Sequence, residues 1–228
     1  MRSPVIRKIL LGLIMAAAAT GLIFLGHVPV AITLAVFFAG AIREYKNNLG
    51  PKISPEFGAK NYVFFGALLI GLPFFFIWAI RYRFGPFATV FMAFNFAATD
   101  GLGMLYGLLL NKVGMKRHAI AKEINEGKSW EVAVLQVLTN SLFCTFVIYQ
   151  FSPSNFVGSY RNAFILSFFG SIGAVTGDLI ESKFKRMAKL KDSGKSLGTH
   201  GGFLDRIDSA IGTGYVYICY FALKAIFR

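Results

Sequence analysis

The sequence has few of the residues on which soluble domains depend. Only 15% of its 228 residues are charged, while 55% are hydrophobic, and the mean hydropathy is +0.58. Soluble domains carry about 25% charged residues, so this composition excludes an ordinary soluble protein and indicates a membrane protein. Cysteine is also scarce. Cys144 and Cys219 lie in separate apolar segments, which predicts neither a disulfide framework nor a zinc site, since zinc needs clustered ligands.

Acidic residues are scarce as well, with 11 Asp and Glu against 24 Lys and Arg, and the net charge is +13. A basic surplus can indicate nucleic-acid binding, but its distribution here indicates membrane topology instead. Nineteen of the 24 basic residues lie in four segments, 2–8, 43–60, 111–129 and 181–208. The positive-inside rule places these segments and the N-terminus in the cytoplasm. We therefore expect the basic residues to face anionic headgroups and nucleotides, with no nucleic acid as partner.

Long apolar segments make up most of the chain. A helix needs roughly 20 apolar residues to cross the hydrocarbon core of a bilayer. Hydropathy predicts about seven such helices, at residues 9–25, 28–42, 61–80, 86–110, 130–149, 163–180 and 209–227. We therefore expect an all-α fold, a polytopic helical bundle that forms a single integral membrane domain over residues 1–228. The first two segments are short and closely spaced, so a re-entrant hairpin is the alternative there.

Two of the predicted spans contain an aspartate, which is costly in the hydrocarbon core and therefore indicates a site or a cavity. Asp100 lies within residues 86–110, and Asp178 lies near the end of residues 163–180. For Asp178 the alternative is a helix end that reaches the membrane interface. For Asp100 the alternative is a buried, hydrogen-bonded side chain at a packing kink beside Gly101.

The segment THGGFLDRID, residues 199–208, places two more aspartates at the lip of the last span. Asp205 and Asp208 are three residues apart at the predicted start of a helix, so we expect their carboxylates on one face. For either residue alone, N-capping is the alternative. Together with Asp178 they predict a Mg²⁺ site, because Mg²⁺ binds one or two carboxylates along with water and phosphate oxygens.

The same segment predicts a cradle for a polyphosphate, because backbone N–H groups and cationic side chains bind anionic oxygens together. Gly201 and Gly202 allow the backbone to approach a ligand closely, and a simple turn is the alternative for them. The side chains expected to complete the cradle are His200, Lys191, Lys195 and Arg206.

A longer pattern includes these residues. Its matching positions are Ser182, Lys185, Arg186, Lys191, Asp192, Gly194, Leu197, Gly198, His200, Gly201, Gly202, Phe203, Asp205, Arg206, Ile207 and Asp208. The pattern resembles the signature of the phosphatidate cytidylyltransferase family, the CDP-diacylglycerol synthases. The motifs GDLIES at 177–182, EGKSWE at 126–131 and REY at 43–45 also resemble elements of that family. The resemblance is dense over residues 97–217.

The resemblance implies transfer of the cytidylyl group of CTP to phosphatidic acid, which gives CDP-diacylglycerol and pyrophosphate in phospholipid biosynthesis. It places the catalytic part of the domain in residues 86–228, with the signature at 178–208, and the N-terminal spans in residues 1–85. Catalysis of this kind depends on positioning and on neutralising phosphate charge. We therefore expect a nucleotidyltransferase that uses Mg²⁺, with a second cation left open.

The expected roles of individual residues follow from this chemistry. The expected metal ligands are Asp178, Asp205 and Asp208. The cations expected to neutralise phosphate oxygens are Lys128, Lys191, Lys195 and Arg206. His200 is expected to donate a hydrogen bond to a phosphate. The residues expected around the nucleotide and the cation are Gly201, Gly202, Ser182, Glu181 and Asp100.

Other functions stay open at this point. One alternative is a CTP-dependent kinase of a membrane alcohol such as a polyprenol or phytol, which would need a base for the hydroxyl group. Another is an ion-coupled transporter that uses Asp100 and Asp178 as ion sites. In the main interpretation the protein lies in a bacterial plasma membrane with its active site facing the cytoplasm, and a homodimer is left open.

Overall fold

The structure is a computed structural model, and it describes residues 4–57, 61–152, 155–197 and 201–226. Within these residues the α-helices are α1 (Pro4–Leu25), α2 (His27–Glu44), α3 (Gly50–Ile53), α4 (Tyr62–Phe84), α5 (Pro86–Lys112), α6 (Trp130–Phe146), α7 (Tyr160–Met187) and α8 (Asp208–Ile226). A π-helical turn, Tyr45–Leu49, joins α2 to α3. Two strands, β1 (Ala119–Ala121) and β2 (Asn125–Ser129), form an antiparallel hairpin. Shorter 3₁₀ turns cover Ser54–Phe57, Ile148–Phe151 and Leu204–Arg206.

Most of the predicted spans are helices of membrane length. Among the described residues, six helical stretches are long and apolar enough to cross a bilayer: His27–Ile53, Tyr62–Phe84, Pro86–Lys112, Trp130–Phe151, Tyr160–Met187 and Asp208–Ile226. The predicted polytopic membrane bundle is thereby confirmed. The remaining predicted span, 9–25, falls in α1, whose described apolar stretch, Ala16–Leu25, is shorter than a bilayer crossing.

Two elements differ from the sequence-based expectation. The hairpin β1–β2 lies in a segment that was expected to be a cytoplasmic loop, and the Ile124 N–H closes its turn by donating to the Ala121 carbonyl oxygen at 3.0 Å. Helix α7 continues seven residues past the predicted end at 180, as far as Met187. Hydropathy marks only the apolar part of a helix, whereas an ion pair between Glu181 and Lys185, four residues apart, stabilises the polar last turns.

Helices α7 and α8 pack backbone to backbone through three glycines. A Cβ atom on Gly212 would overlap the carbonyl oxygen of Gly173, and one on Gly177 would overlap the carbonyl oxygen of Asp208. Small residues at membrane helix interfaces permit this close approach. Because Asp178 follows Gly177 directly, the contact brings Asp178 next to the first turn of α8.

A buried polar network joins helices α5, α6 and α7. The amide nitrogen of Asn140 lies 3.0 Å from the carbonyl oxygen of Asn95, 3.0 Å from Thr99 Oγ1 and 2.9 Å from Ser171 Oγ. All four residues are buried. Hydrogen bonds between membrane helices fix how the helices are aligned along their axes. This network therefore fixes the position of Asp100, which follows Thr99 in α5, relative to α6 and α7.

Candidate active site

Charged side chains from four elements of the fold lie close together. Asp100 comes from α5, Lys128 from β2, Asp178 from α7 and Asp208 from the first residue of α8. The Lys128 Nζ forms an ion pair with Asp178 Oδ2. Asp208 lies within electrostatic range of both Asp100 and Asp178. We refer to these four residues as the central cluster.

The hairpin holds Lys128 in the central cluster because it is fastened to α7. Asn125 Nδ2 donates to Ser182 Oγ at 3.4 Å, and Arg186 Nε donates to the carbonyl oxygen of Ile124 at 3.2 Å. Ser182 in turn donates to Asp178 Oδ1 at 3.3 Å. The strand and the helix are therefore connected at two points, and Lys128 extends from β2 toward the carboxylates of the cluster.

The three carboxylates of the central cluster repel one another, and this repulsion decides what the cluster can bind. Asp208 is only 8% exposed, and its Oδ1 accepts the Ser209 N–H at 2.7 Å. Burial lowers the pKa of the Lys128 ammonium, but Asp178 and Asp100 outweigh burial, so the pKa is raised above its usual value. Lys128 is therefore protonated. With three carboxylates and one ammonium group, the cluster can bind a further cation, such as a metal ion that also binds phosphate.

A second group of charges lies beside the central cluster. Lys185 Nζ pairs with Glu181 Oε2 and lies 2.8 Å from Asp205 Oδ1. Asp205 also accepts the Ser193 N–H at 3.0 and 3.2 Å and the Gly202 N–H at 2.7 Å. Burial raises the pKa of Asp205, but Lys185 and the Gly202 N–H lower it by more, so the pKa lies below its usual value.

These contacts change the roles expected for part of the signature. Helix α8 begins at Asp208, and Asp205 lies in the preceding 3₁₀ turn, so the two residues are not on one helix as expected. The hydrogen bonds to Asp205 tie residues 193 and 202 together across the loop. The Gly202 N–H, expected to bind phosphate, donates to Asp205 instead. Gly201 has φ +77°, a left-handed conformation that favours glycine.

The predicted metal ligands are brought together only in part. Asp178 and Asp208 lie in the central cluster with Asp100, whereas Asp205 faces Lys185 and the backbone. Over the described part of the chain, no group of three or more His, Cys, Asp and Glu has the arrangement of a preformed metal site. Mg²⁺ binds through one or two carboxylates together with phosphate oxygens, so the assignment of Mg²⁺ to these aspartates stays a prediction.

The remaining predicted phosphate ligands belong to the loop before α8. Lys191, Lys195 and Arg206 are exposed at the surface of the loop before α8. Arg206 also lies within electrostatic range of Asp100. His200 falls outside the described residues, so its role as a hydrogen-bond donor stays a prediction. These residues give the loop surface a positive charge next to the acidic cluster.

An apolar cavity of about 340 Å³ lies beside the charged residues Glu181 and Asp208. It lies between α4, α7 and α8, and its apolar lining includes Ile70, Ile211 and Val216. Glu181 and Asp208 also line it. A ligand that is apolar over most of its length and charged at one end matches this lining.

Sequence reasoning missed two residues that hold the site together. Lys185 belongs to the signature pattern, but it was not singled out as a site residue. Its spacing of four residues from Glu181 and seven from Asp178 puts all three on one helical face, which is a usable signal once α7 is known to continue. Glu44 is 4% exposed and accepts hydrogen bonds from the loop before α8; it lies in the REY motif at 43–45, but the motif alone does not indicate a contact with that loop.

Comparison with known proteins adds a further observation. Residues 51–224 match the model of a family described as the cytidylyltransferase family. The matched residues contain the central cluster, the hairpin and the loop before α8. The match therefore covers the elements that form the candidate site.

Individual relatives are similar over different shares of the chain. A phosphatidate cytidylyltransferase of Helicobacter pylori is 31% identical over 189 residues, 82% of this chain and 63% of that protein. One of Haemophilus influenzae is 41% identical over 96 residues, 41% of this chain and 33% of that protein. Phosphatidate cytidylyltransferase 4, chloroplastic, of Arabidopsis thaliana is 28% identical over 219 residues, 84% of this chain and 52% of that protein. In each match the chain spans less than two thirds of the relative.

Proposed function

Because the chain belongs to the cytidylyltransferase family, we propose that it transfers the cytidylyl group of CTP to phosphatidic acid, giving CDP-diacylglycerol and pyrophosphate. The names of the similar proteins from Helicobacter pylori, Haemophilus influenzae and Arabidopsis thaliana support this choice of substrates. The observation that carries the proposal is structural. A charged cluster lies at an apolar cavity that opens between membrane-spanning helices.

The cavity suits the lipid substrate. Phosphatidic acid has apolar acyl chains and one phosphate monoester, and the cavity has an apolar wall that ends at Asp208, one of the two residues that we propose to hold the Mg²⁺ that would offset the phosphate charge. Its approximate volume of 340 Å³ is too small for two whole acyl chains. We therefore place only the glycerol region and the first part of the chains in the cavity, with the rest in the bilayer.

The lipid phosphate can react without a general base. A phosphate monoester has a second pKa near 6, so it is mostly dianionic at pH 7. One of its oxygens forms a new bond to the α-phosphorus of CTP, and the bond from that phosphorus to the β-phosphate oxygen breaks. Pyrophosphate leaves with the bonding electron pair. The obstacle is repulsion between two anions, so catalysis depends on positioning and on charge neutralisation.

The cationic residues of the chain supply much of that neutralisation. Lys128 is held at the centre of the site by the hairpin and by Asp178. Lys191, Lys195 and Arg206 lie on the exposed side, where a nucleotide arrives from water. We assign Lys128 to the α-phosphate and the exposed cations to the outer phosphates, with His200 as a further hydrogen-bond donor.

A divalent cation fits the central cluster. Asp178 and Asp208 are mutually repelling carboxylates with oxygen ligands of the kind that Mg²⁺ prefers. We propose that these two residues hold Mg²⁺, with Asp100 as the third carboxylate and Asp205 as the residue that holds the loop. When bound, Mg²⁺ would stabilise negative charge on the phosphate oxygens.

The orientation of the site in the membrane follows from charge. Two members of the central cluster lie within basic segments, Lys128 in 111–129 and Asp208 at the end of 181–208. By the positive-inside rule we propose that the cluster faces the cytoplasm, in a bacterial plasma membrane. CTP then arrives from the cytoplasm and the lipid from the inner leaflet. A single chain supplies all of the residues in the central cluster, so the proposal requires no homodimer.

The proposal is tested with CTP labelled at either the α- or the γ-phosphorus. The purified chain in mixed micelles with phosphatidic acid and Mg²⁺ is expected to place the α-label in lipid and the γ-label in pyrophosphate. Chelation of Mg²⁺ with excess EDTA is expected to abolish both the labelling of lipid and the release of labelled pyrophosphate. The γ-label in a lipid alcohol would instead identify a membrane-alcohol kinase, and no transfer of the α-label to lipid would contradict the proposal.

A further inference from the structure

We propose that Glu44, at the end of α2, is a positioning residue that holds the loop between α7 and α8 in the shape needed to bind CTP. We call the described residues 188–197 and 201–207 the signature loop. The kinetic part of this inference depends on the proposed function, whereas the structural part does not. Glu44 precedes residues 51–224, which the family match covers, so the match assigns it no role.

The carboxylate of Glu44 is buried under the signature loop. Its Oε2 accepts the Leu204 N–H at 3.0 Å and the Ser193 hydroxyl at 3.3 Å. Glu44 is 4% exposed. A single carboxylate oxygen therefore connects both ends of the loop to the last turn of α2.

The loop is shaped to fit closely around this carboxylate. A Cβ atom on Gly194 would overlap Glu44 Oε1, and one on Gly202 would overlap Glu44 Oε2. The backbone thus approaches Glu44 from two sides, which only glycine permits without movement of the loop or of the Glu44 side chain. Among the described residues, Glu44 Oε1 has no hydrogen-bond partner.

Neighbouring residues extend the same connection. Asn48, one turn further along, donates from Nδ2 to the Ser193 carbonyl oxygen at 2.7 Å. The Ser193 N–H donates to Asp205. Ser193 is thus held through its hydroxyl, its carbonyl and its N–H, and it is fully buried. Lys191 and Lys195 flank Ser193, so the position of Ser193 determines where these two cations lie.

Glu44 acts through the loop, since it is buried beneath the loop and its hydrogen-bond donors, Ser193 and Leu204, are loop groups. Its removal should therefore weaken nucleotide binding more than it slows the reaction at saturating CTP. A residue that only stabilises the fold would lower the amount of folded protein and leave the KM for CTP unchanged. This difference separates positioning from general stability.

Hydrogen exchange of the detergent-solubilised chain measures the loop directly. In Glu44→Ala, amides of residues 193–197 and 201–204 are expected to exchange about tenfold faster, the order of magnitude for loss of a buried hydrogen bond. Glu44→Gln keeps an acceptor of the same length and is expected to stay within about threefold of the wild type. Val30→Ala, at a buried position of α2 away from the loop, controls for destabilisation of α2 and should leave loop exchange unchanged.

Steady-state kinetics provide the second readout. Glu44→Ala is expected to raise the KM for CTP about tenfold with a smaller change in kcat, and Glu44→Gln is expected to restore most of the KM. Wild-type loop protection in Glu44→Ala would overturn the inference, as would equal impairment by Ala and Gln. If the wild type transfers no label but Glu44→Ala still loosens the loop, the proposed function fails while the structural role stands.

Discussion

Asp208→Asn is expected to lower the rate of cytidylyl transfer from CTP to phosphatidic acid by at least about 10²-fold, the scale seen when a key electrostatic group is removed. The change keeps the size of the side chain and its acceptor for the Ser209 N–H, but it removes a charge from the central cluster. The rate is measured as α-labelled lipid formed at saturating CTP. Asp178→Asn should have an effect of similar size because both carboxylates lie in one cluster.

A matched control distinguishes loss of this charge from loss of any acidic residue near the site. Glu123 is exposed in the hairpin, and Glu123→Gln removes one negative charge from the same side of the molecule. Its rate is expected to stay within about twofold of the wild type, since exposed charges are well screened. If Asp208→Asn were as active as Glu123→Gln, the central cluster would not be the catalytic site.

Gly212→Leu is the second substitution with a large expected effect. The carbonyl oxygen of Gly173 occupies the space where the new Cβ atom would lie, so α7 and α8 must move apart. That movement separates Asp178 from Asp208. We expect at least about 10²-fold lower cytidylyl transfer, because catalytic groups displaced by about 1 Å lose this much. Overpacking should also lower the unfolding midpoint by about 5–10 °C.

Gly21→Leu is the matched control for this substitution. A Cβ atom on Gly21, in α1, would meet nothing within 4 Å. The control therefore makes the same chemical change at an exposed position of a helix without forcing two helices apart. It should leave both the rate and the unfolding midpoint close to those of the wild type. Equal effects of the two substitutions would show that the α7–α8 contact has no special role.

The membrane architecture could be predicted from sequence because it depends on local composition. Apolar segments of about 20 residues give the spans, whereas the direction that the asymmetry of Lys and Arg indicates stays a prediction. The limits of α7 could not be read in this way. Residues 181–187 are polar, and they are helical because an ion pair and contacts with the hairpin stabilise them. The hairpin itself is short and depends on its packing against α7.

The sequence predicted which residues belong to the candidate site better than it predicted which of them contact one another. The spacing of Asp205 and Asp208 suggested a pair, but Asp208 faces Asp178 across the glycine contact, and Asp205 faces Lys185. These partners come from different helices, and their meeting depends on packing that spacing does not encode. Glu44 shows the same limit, because its partners Ser193 and Leu204 lie about 150 residues away in sequence.

The central claim is that Asp178 and Asp208 together hold the divalent cation used with CTP. Water-proton relaxation during a Mn²⁺ titration tests it directly, because relaxation is enhanced when Mn²⁺ binds to a slowly tumbling protein. With CTP present, the wild type is expected to show saturable enhancement, and Asp178→Asn and Asp208→Asn should each bind Mn²⁺ at least about tenfold more weakly. Titration curves identical to that of the wild type in both variants would contradict the account.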